Sequence, residues 1–399
     1  VRKRYSRSPE GKIIQSALIY TAADHGIDPR GIDHDAVKVV RRLQQHGYEA
    51  YIVGGAVRDL LLGKSPKDFD VSCSATPAQI RKIFRNSRVI GKRFRLVHIL
   101  FRDKIIEVST FRSCEAEGFK NVYGTIEEDV QRRDFTANAL FLDPLDNRVI
   151  DYVGGVKHIR KRVLQPVIPL SRIFREDPVR IIRAVKYAQA GGLRLPWRVV
   201  RSIQRDRALL ADVPSSRMTE ELFKILSTGS ASGIIGELLR LDAFRYILPV
   251  PAELARSDKR YRQKFLDRLA ALDRARETSS GEADRPGGLD RKDLLCFFCA
   301  DYLLDFGPFA DQQRIPFREG YYAMKEFLQP VTPANREVEA ALREIFRNKG
   351  RLLREEPAES DEDRRAGGRG RRRRRRRGGG SNGGRASSGS GAASPAPKA

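Results

Sequence analysis

The sequence predicts an α+β protein: a mixed α/β head, an all-helical neck and body behind it, and a disordered basic tail. Three patterns carry the prediction. From Glu49 to Phe111, β-type runs (EAYIVGG, DFDVS, RLVHILF, IIEVSTF) are interspersed with helical ones (AVRDLLLG, TPAQIRKIF). After about Val163, the runs FREDPVRIIRAVKYAQ, RMTEELFKILS, SGIIGELLRLDAF and KRYRQKFLDRLAAL repeat apolar residues three and four apart. From Glu355 the chain is acidic (EEPAESDED) and then Arg/Gly/Ser-rich, too poor in apolar residues to pack.

Length and composition agree. A chain of 399 residues holds two or three cores, and 40% hydrophobic with 32% charged residues supports buried cores under a solvated surface. Of the formal charge of +25, twelve charges lie between Arg364 and Ala399, leaving +13 on the rest. Both parts are basic, and a polyanion is the expected partner. No run approaches the ~18 apolar residues of a membrane span, and the start VRKRYSRSPEGK lacks a signal peptide's apolar segment, so a cytoplasmic protein without membrane contact is expected. Cys73, Cys114, Cys296 and Cys299 are too few for a disulfide framework. Cys296 and Cys299 have C-x-x-C spacing, but their apolar setting, LLCFFCADYLL, reads as core thiols on a helix.

Taken in order, residues 1–31 are basic and then turn-rich (DHGIDPRGID) and read as an extension, with folded structure starting near Ile32. DAVKVVRRLQQHG has helical spacing. Thr76-Pro77 supplies the N-cap and first-turn proline of the helix through Phe84. ETSSGEADRPGG, from Glu277 to Gly288, reads as a loop between helices.

The densest chemistry is VGGAVRDLLLGKSPKDFDVS. Gly54-Gly55, between a strand and a helix, lets backbone N–H groups approach an anion with no Cβ in the way, although an isolated Gly-Gly is more often a plain tight turn. Gly63-Lys64-Ser65 mimics the end of a P-loop, but Arg58 stands where its first glycine belongs. Asp68 and Asp70 alternate on the predicted strand, which sends both carboxylates to one face with Phe69 inward. Two acids on one face call for a cation, and Mg²⁺ suits carboxylates and phosphate oxygens. Glu107 alternates with Ile106 and Val108 in the neighbouring β-run and is the third candidate ligand, enough for two ions in an in-line phosphoryl displacement.

Two further clusters follow. In QRRDFTANALFLDP, Phe135, Ala139 and Leu140 read as the buried side of a helix with Arg132, Arg133, Asp134 and Asn138 near its start. Arg133 suits phosphate oxygens through its planar fork, and local pairing with Asp134 explains it equally well. In REDPVRIIR, Asp177, Arg180 and Arg183 recur every third residue, one acceptor and two forked donors opposite Val179 and Ile182. That face fits the edge of a base, or an ordinary ladder of ion pairs. In KRYRQKFLDRL, Tyr261 and Phe265 lie among cations, a pattern that fits base stacking, with Phe265 favoured as core.

With these residues in view, the chain resembles the class II nucleotidyltransferases of the polymerase β superfamily, and within them bacterial poly(A) polymerases. The resemblance rests on GGAVRDLLLGKSPKDFDV, VIGKRFRLVHI, IIEVSTFR, RRDFTANAL, DYVGGVKHI and REDPVRIIRAVKYA, over roughly residues 48–190. CCA-adding tRNA nucleotidyltransferases share most of these motifs and are the alternative. The run Gly91 to His98 and the arginine-rich tail look more like the polymerases. PVIPLSRI departs from the family's usual segment ahead of the base-reading helix.

The resemblance implies that Asp68 and Asp70 bind catalytic Mg²⁺, with Mn²⁺ as the alternative ion, and that Asp134 is a further catalytic acid. The strand pattern favours Glu107 instead as the third acid. Gly54, Gly55, Arg58 and Arg133 would hold the triphosphate of ATP, and Asp177, Arg180 and Arg183 would face its base. Arg371, Arg372, Arg373, Arg374, Arg375, Arg376 and Arg377 would tether RNA, since dense cations gain from counterion release. The implied organisation is an extension (1–31), a catalytic nucleotidyltransferase head (32–165), a neck that reads the base and binds RNA (166–250), a helical body (251–354) and the tail (355–399). The implied activity is template-independent addition of AMP from ATP to RNA 3′ ends with release of pyrophosphate, in RNA processing and decay. RNA-decay proteins would dock on the helical region or the tail.

Overall fold

The structure is a computed structural model that describes residues 1–7, 13–91, 95–102, 104–113, 123–279, 289–348 and 352–354. Lys92, Arg93 and Phe94, Cys114 and the arginine tail therefore lie outside the described residues.

Nine strands form one mixed sheet: β1 (Arg2–Arg7), β2 (Ile13–Tyr20), β3 (Ala50–Val53), β4 (Asp70–Cys73), β5 (Ser87–Ile90), β6 (Leu96–Leu100), β7 (Ile105–Thr110), β8 (Leu140–Asp143) and β9 (Arg148–Asp151). Their order is β1-β2-β9-β8-β3-β4-β7-β6-β5, and β4–β7 is the parallel pair. Six helices accompany them: α1 (Ala22–His25), α2 (His34–Gln45), α3 (Gly55–Leu61), α4 (Pro77–Ile83), α5 (Ile126–Arg132) and α6 (Gly155–Arg160).

The two-residue period of the strands divides the sheet into faces. On β3, Ala50 and Ile52 join the large core under α2 and α4, whereas Tyr51 and Val53 join a smaller one with Phe141 and with Ile126 and Val130 of α5. Helix α2 buries Ala36, Val39, Val40 and Leu43, the helical stripe expected, behind an Asp33 cap that accepts from two backbone N–H groups. Thr76 and Gln79 close a capping box around Pro77, as the sequence predicts for α4.

Beyond the sheet the chain is helical, α7 (Ile173–Glu176), α8 (Val179–Gly191), α9 (Trp197–Asp206), α10 (Ser215–Leu226), α11 (Ala231–Arg240), α12 (Pro249–Ser257), α13 (Lys259–Ser279), α14 (Arg291–Asp301), α15 (Phe317–Leu328) and α16 (Asn335–Asn348), except that the body expected to be all helix also holds a short parallel pair, Arg314–Pro316 with Leu352–Arg354. The large core runs without a break from the sheet into these helices. Among the described residues no helix is long and apolar enough to cross a membrane.

Three expectations change. Residues 1–31 are not a bare extension: β2 pairs with β9 through Leu18↔Asp151 and Tyr20↔Val149, and Ala17, Tyr20 and Ile27 are buried. The basic residues of β1 mask the apolar run of β2 in a reading based on charge. Helix α13 continues through Ser279, past the expected loop start at Glu277, while 280–288 lie outside the described residues. Tyr261 is as deeply buried as Phe265; their rings stack 5.5 Å apart, with Phe306 against Tyr261 and Phe298 against Phe265, so neither offers a face to a base. Cys73 and Cys299 are buried and Cys296 partly so. Burial pushes Cys73 and Cys296 up to about 12 and raises Cys299 as well, leaving inert core thiols.

Candidate active site

One cleft of about 1530 Å³ lies between the sheet and the neck helices, and its lining includes nearly all the residues singled out above in the head and neck. Its floor begins where β3 ends. Gly54 has φ 70° and ψ −130°, a conformation open to glycine, and it turns the chain into α3. A Cβ on Gly54 would stand 3.9 Å from Arg133 Nη1, and one on Gly55 would stand 3.6 Å from Arg58 Nη2, so both guanidinium groups overhang the turn.

The acids come next. Asp70 opens β4 opposite Val53, whereas Asp68 lies in the segment leading into the strand rather than on it, as the alternation had implied. The parallel register Val71↔Val108 brings Glu107 beside Asp70, and His98 Nε2 lies 3.3 Å from Glu107 Oε2. The Asp70 carboxyl is pushed up to about 6, first by lost hydration at the base of the cleft, then by the charges of Glu107 and Asp68; Arg133 pulls the other way. Its side chain still reaches water through the cleft mouth.

A set of oxygen donors that resist sharing their charge is chemically fit for a hard divalent cation. Among the described residues no three His, Cys, Asp or Glu side chains converge closely enough to hold an ion by themselves. Mg²⁺ is usually bound by one or two carboxylates plus substrate phosphates and water, so Asp68 and Asp70 have the chemistry such a site uses.

QRRDFTANAL is not the helix its apolar spacing predicts. Helix α5 ends at Arg132, Thr136–Asn138 form a 3₁₀ turn, and Leu140 starts β8. A short apolar run fits either period, and pairing with β3 and β9 decides for the strand. The turn builds a polar chain across the cleft. Arg58 Nη1 donates to Asn138 Oδ1 (2.8 Å), and Asn138 Nδ2 donates to Asp134 Oδ1 (3.2 Å). Arg183 Nη2 then lies 2.9 Å from Asp134 Oδ2, and Arg183 Nε donates to the Tyr187 hydroxyl (3.1 Å). Arg58 also packs over the Tyr187 ring, 5.0 Å from its centroid. Burial works against the Arg183 charge, but Tyr187 and Asp134 outweigh it and raise its pKa.

Asp134 is thus placed under Arg183, and its other oxygen also accepts from the Phe135 N–H (2.7 Å). Arg133 does not pair with it: its Nη2 is 2.8 Å from Asp129 Oδ2 and its Nη1 donates to the Asn138 carbonyl. Asp177, Arg180 and Arg183 all line the cleft, but they form no ladder with one another. Asp177 pairs with Arg217 (2.6 Å), Arg180 with Glu176 (3.2 Å), and Arg183 with Asp134. Asp177 precedes α8 rather than belonging to it. Val167, Ile168 and Pro169 of the divergent PVIPLSRI run form part of the wall.

The sequence reading missed Tyr187 and the buried pair of Lys186 with Glu221, 2.7 Å apart. Tyr187 follows Arg183 by four residues on the same helix, a spacing that contained the signal. Nothing in the sequence pairs Lys186 with Glu221.

Comparison with known proteins agrees with this geometry. Residues 50–165 match the family described as the poly A polymerase head domain, and residues 192–254 match the one described as a probable RNA and SrmB-binding site of polymerase A. Poly(A) polymerase I of Salmonella typhi is 43% identical over 242 residues, 56% of this chain and 52% of that protein. A CCA-adding enzyme of Geobacillus stearothermophilus is 37% identical over 198 residues, 48% of this chain and 49% of that protein. The chain spans about half the length of the curated relatives it matches. The crystal structure of the Bacillus stearothermophilus CCA-adding enzyme in complex with CTP superposes with a TM-score of 0.51 at 25% identity, covering 78% of this chain and 82% of that one. Residues 50–165, which carry the glycine turn, Asp70 and the arginines over it, thus form a head domain of the poly A polymerase type.

Proposed function

We propose that the chain is an RNA 3′-end adenylyltransferase that adds AMP from ATP, without a template, to RNA and releases pyrophosphate. The observation that supports this reading best is the gathering of Asp68, Asp70 and Glu107 with Arg58, Arg133, Arg180 and Arg183 around one cleft beside a glycine turn. The likeness to poly(A) polymerase I, over more of the chain and at higher identity than to the CCA-adding enzyme, favours ATP as the sole nucleotide.

In this reading the Gly54–Gly55 turn receives the triphosphate, and Arg58 and Arg133 neutralise it. Asp68 and Asp70 hold the divalent ion, with Glu107 the neighbouring acid. Bound there, Mg²⁺ or Mn²⁺ neutralises charge on the transferring phosphate and orients attacking and leaving oxygens. The RNA 3′-hydroxyl gives its proton to a carboxylate of the aspartate pair, and its oxygen bonds to the α-phosphorus as the bond from that phosphorus to the bridging oxygen breaks and pyrophosphate leaves. Asp177, Arg180 and Arg183 present an acceptor and two donors to the base. Asp134 acts through Arg183, holding its guanidinium in place. Most of the acceleration then comes from positioning and charge neutralisation. The arginine tail tethers RNA, RNA-decay proteins dock on the helical region or the tail, and the setting is cytoplasmic.

The alternative is a CCA-adding enzyme, which the shared fold favours. The test offers an unstructured RNA and a tRNA lacking its 3′ end, with each nucleotide supplied singly. AMP added repeatedly to both from ATP alone is expected, with Asp70→Ala losing incorporation while retaining RNA. CMP added to the tRNA alone would establish the alternative, and near-normal incorporation by Asp70→Ala would remove the metal face from the mechanism.

A further inference from the structure

Helix α9 carries the chain's one tryptophan, and Trp197 is 65% exposed. A large ring left in water is unusual for a residue whose burial is so favourable. The helix is anchored on its other side, where Val199, Ser202, Ile203 and Asp206 are buried. Its outer side presents Trp197, Arg198, Arg201 and Arg205, and the Arg198 guanidinium lies 5.5 Å from the indole centroid.

The charge there is one-sided. Residues 192–212 hold five arginines and two acids. Asp206 is taken by Arg205 (2.5 Å) and Arg175 (3.6 Å), Arg207 pairs with Asp242 (3.2 Å), and Asp212 lies at the far end of the segment. Among the described residues, no carboxylate lies within ion-pair distance of Arg198 or Arg201. The position is also directed. The Leu170 carbonyl accepts from Ser202 Oγ and Arg205 Nη2, both at 3.0 Å, and its neighbours Pro169 and Arg172 line the cleft. From that anchor the helix leads back to Trp197, about 12 Å from Arg205 at a rise of ~1.5 Å per residue.

We propose that the outer face of α9 is a track for single-stranded RNA upstream of its 3′ end, with Trp197 stacking on a base and Arg198 and Arg201 holding phosphates. The track rests on the proposed function only in taking the 3′ end to enter the cleft. An exposed indole beside unpaired cations is the chemistry of sequence-tolerant single-strand binding, because every base has a flat face and every linkage a charge.

Because Trp197 is unique, intrinsic fluorescence reports this one position in the full chain. An oligoadenylate of about 16 nucleotides, long enough to occupy the cleft and the helix together, is expected to quench the emission, while a trinucleotide confined to the cleft is not. Trp197→Ala is expected to weaken binding of the labelled long oligomer roughly five- to hundredfold, with the loss falling on KM for RNA rather than on kcat. Arg198→Ala with Arg201→Ala is expected to make the slope of log affinity against log salt shallower by about 1.4. Unchanged emission at saturating long oligomer, or a wild-type slope in the double variant, overturns the track and leaves the face to a protein partner. A chain that adds no AMP to any primer, yet whose emission responds to the long oligomer, loses the proposed function and keeps the track. AMP addition with unresponsive emission does the reverse.

Discussion

Asp70→Asn removes one charge from the acid cluster while keeping the side chain's shape. The Asp70 carboxyl stands at about 6, against roughly 3.9 for an unperturbed aspartate. At about 1.36 kcal/mol per unit, ionising it in the folded chain costs roughly 3 kcal/mol. The side chain reaches water in the cleft, and solvent and salt screen the penalty to about 1 kcal/mol. The sign follows from linkage: a carboxyl raised on folding contributes stability that is fully present below its unfolded value, near 3.9, and is lost as pH rises through about 6. Without divalent ions at pH ~7.5, Asp70→Asn is therefore expected to be more stable than wild type by about 1 kcal/mol, and the gap is expected to narrow as the pH is lowered toward ~4. Urea unfolding in EDTA at several pH values measures this. Added Mg²⁺ is then expected to stabilise the wild type by mass action and the variant much less. A variant less stable than wild type at neutral pH in EDTA, or one that gains as much from Mg²⁺, would refute the reading of Asp70 as a strained carboxylate that a cation relieves.

Two further outcomes are expected. Lys186→Met leaves Glu221 buried without its 2.7 Å partner and is expected to cost about 3 kcal/mol, the lower end of the usual range because Lys224 remains 3.4 Å from Glu221; adding Glu221→Leu should recover most of the loss in urea unfolding. Deleting residues 364–399, which carry twelve positive charges and no acid, is expected to weaken RNA binding and flatten its salt dependence, and an unchanged slope would count against the tether.

How much of the site was legible depended on how far each interaction reaches along the chain. Asp70 and Glu107 could be found from strand alternation, because a two-residue period decides which face a side chain takes, whereas Asp68 reaches the cleft from the segment ahead of the strand, where that period does not apply. That Glu107 stands beside Asp70 could not, since the parallel pairing of β4 with β7 is a choice among sheet orders. The strands β1 and β2 read as an extension because the charge of β1 is visible locally and the edge of a sheet is not. Asn138 was noticed as a polar residue, but its bridging role depends on a 3₁₀ turn where the apolar spacing suggested a helix.

The same distinction explains why the motifs at Arg133 to Asn138 and at Asp177 to Arg183 work as one unit although they are distant in sequence. Head and neck are joined around the cleft: Lys64 donates to the Ala190 carbonyl, Lys67 donates to the Ser227 carbonyl (3.0 Å), and Asp134 of the head pairs with Arg183 of the neck. Arg58 and Arg183, proposed to meet the triphosphate and the base, are therefore held at opposite ends of one polar chain through Asn138 and Asp134. Loss of Asn138 is expected to loosen Arg58 and Arg183 together, although only Arg58 touches its side chain directly. An α8 helix that folded correctly but docked differently would keep every motif and lose the cleft.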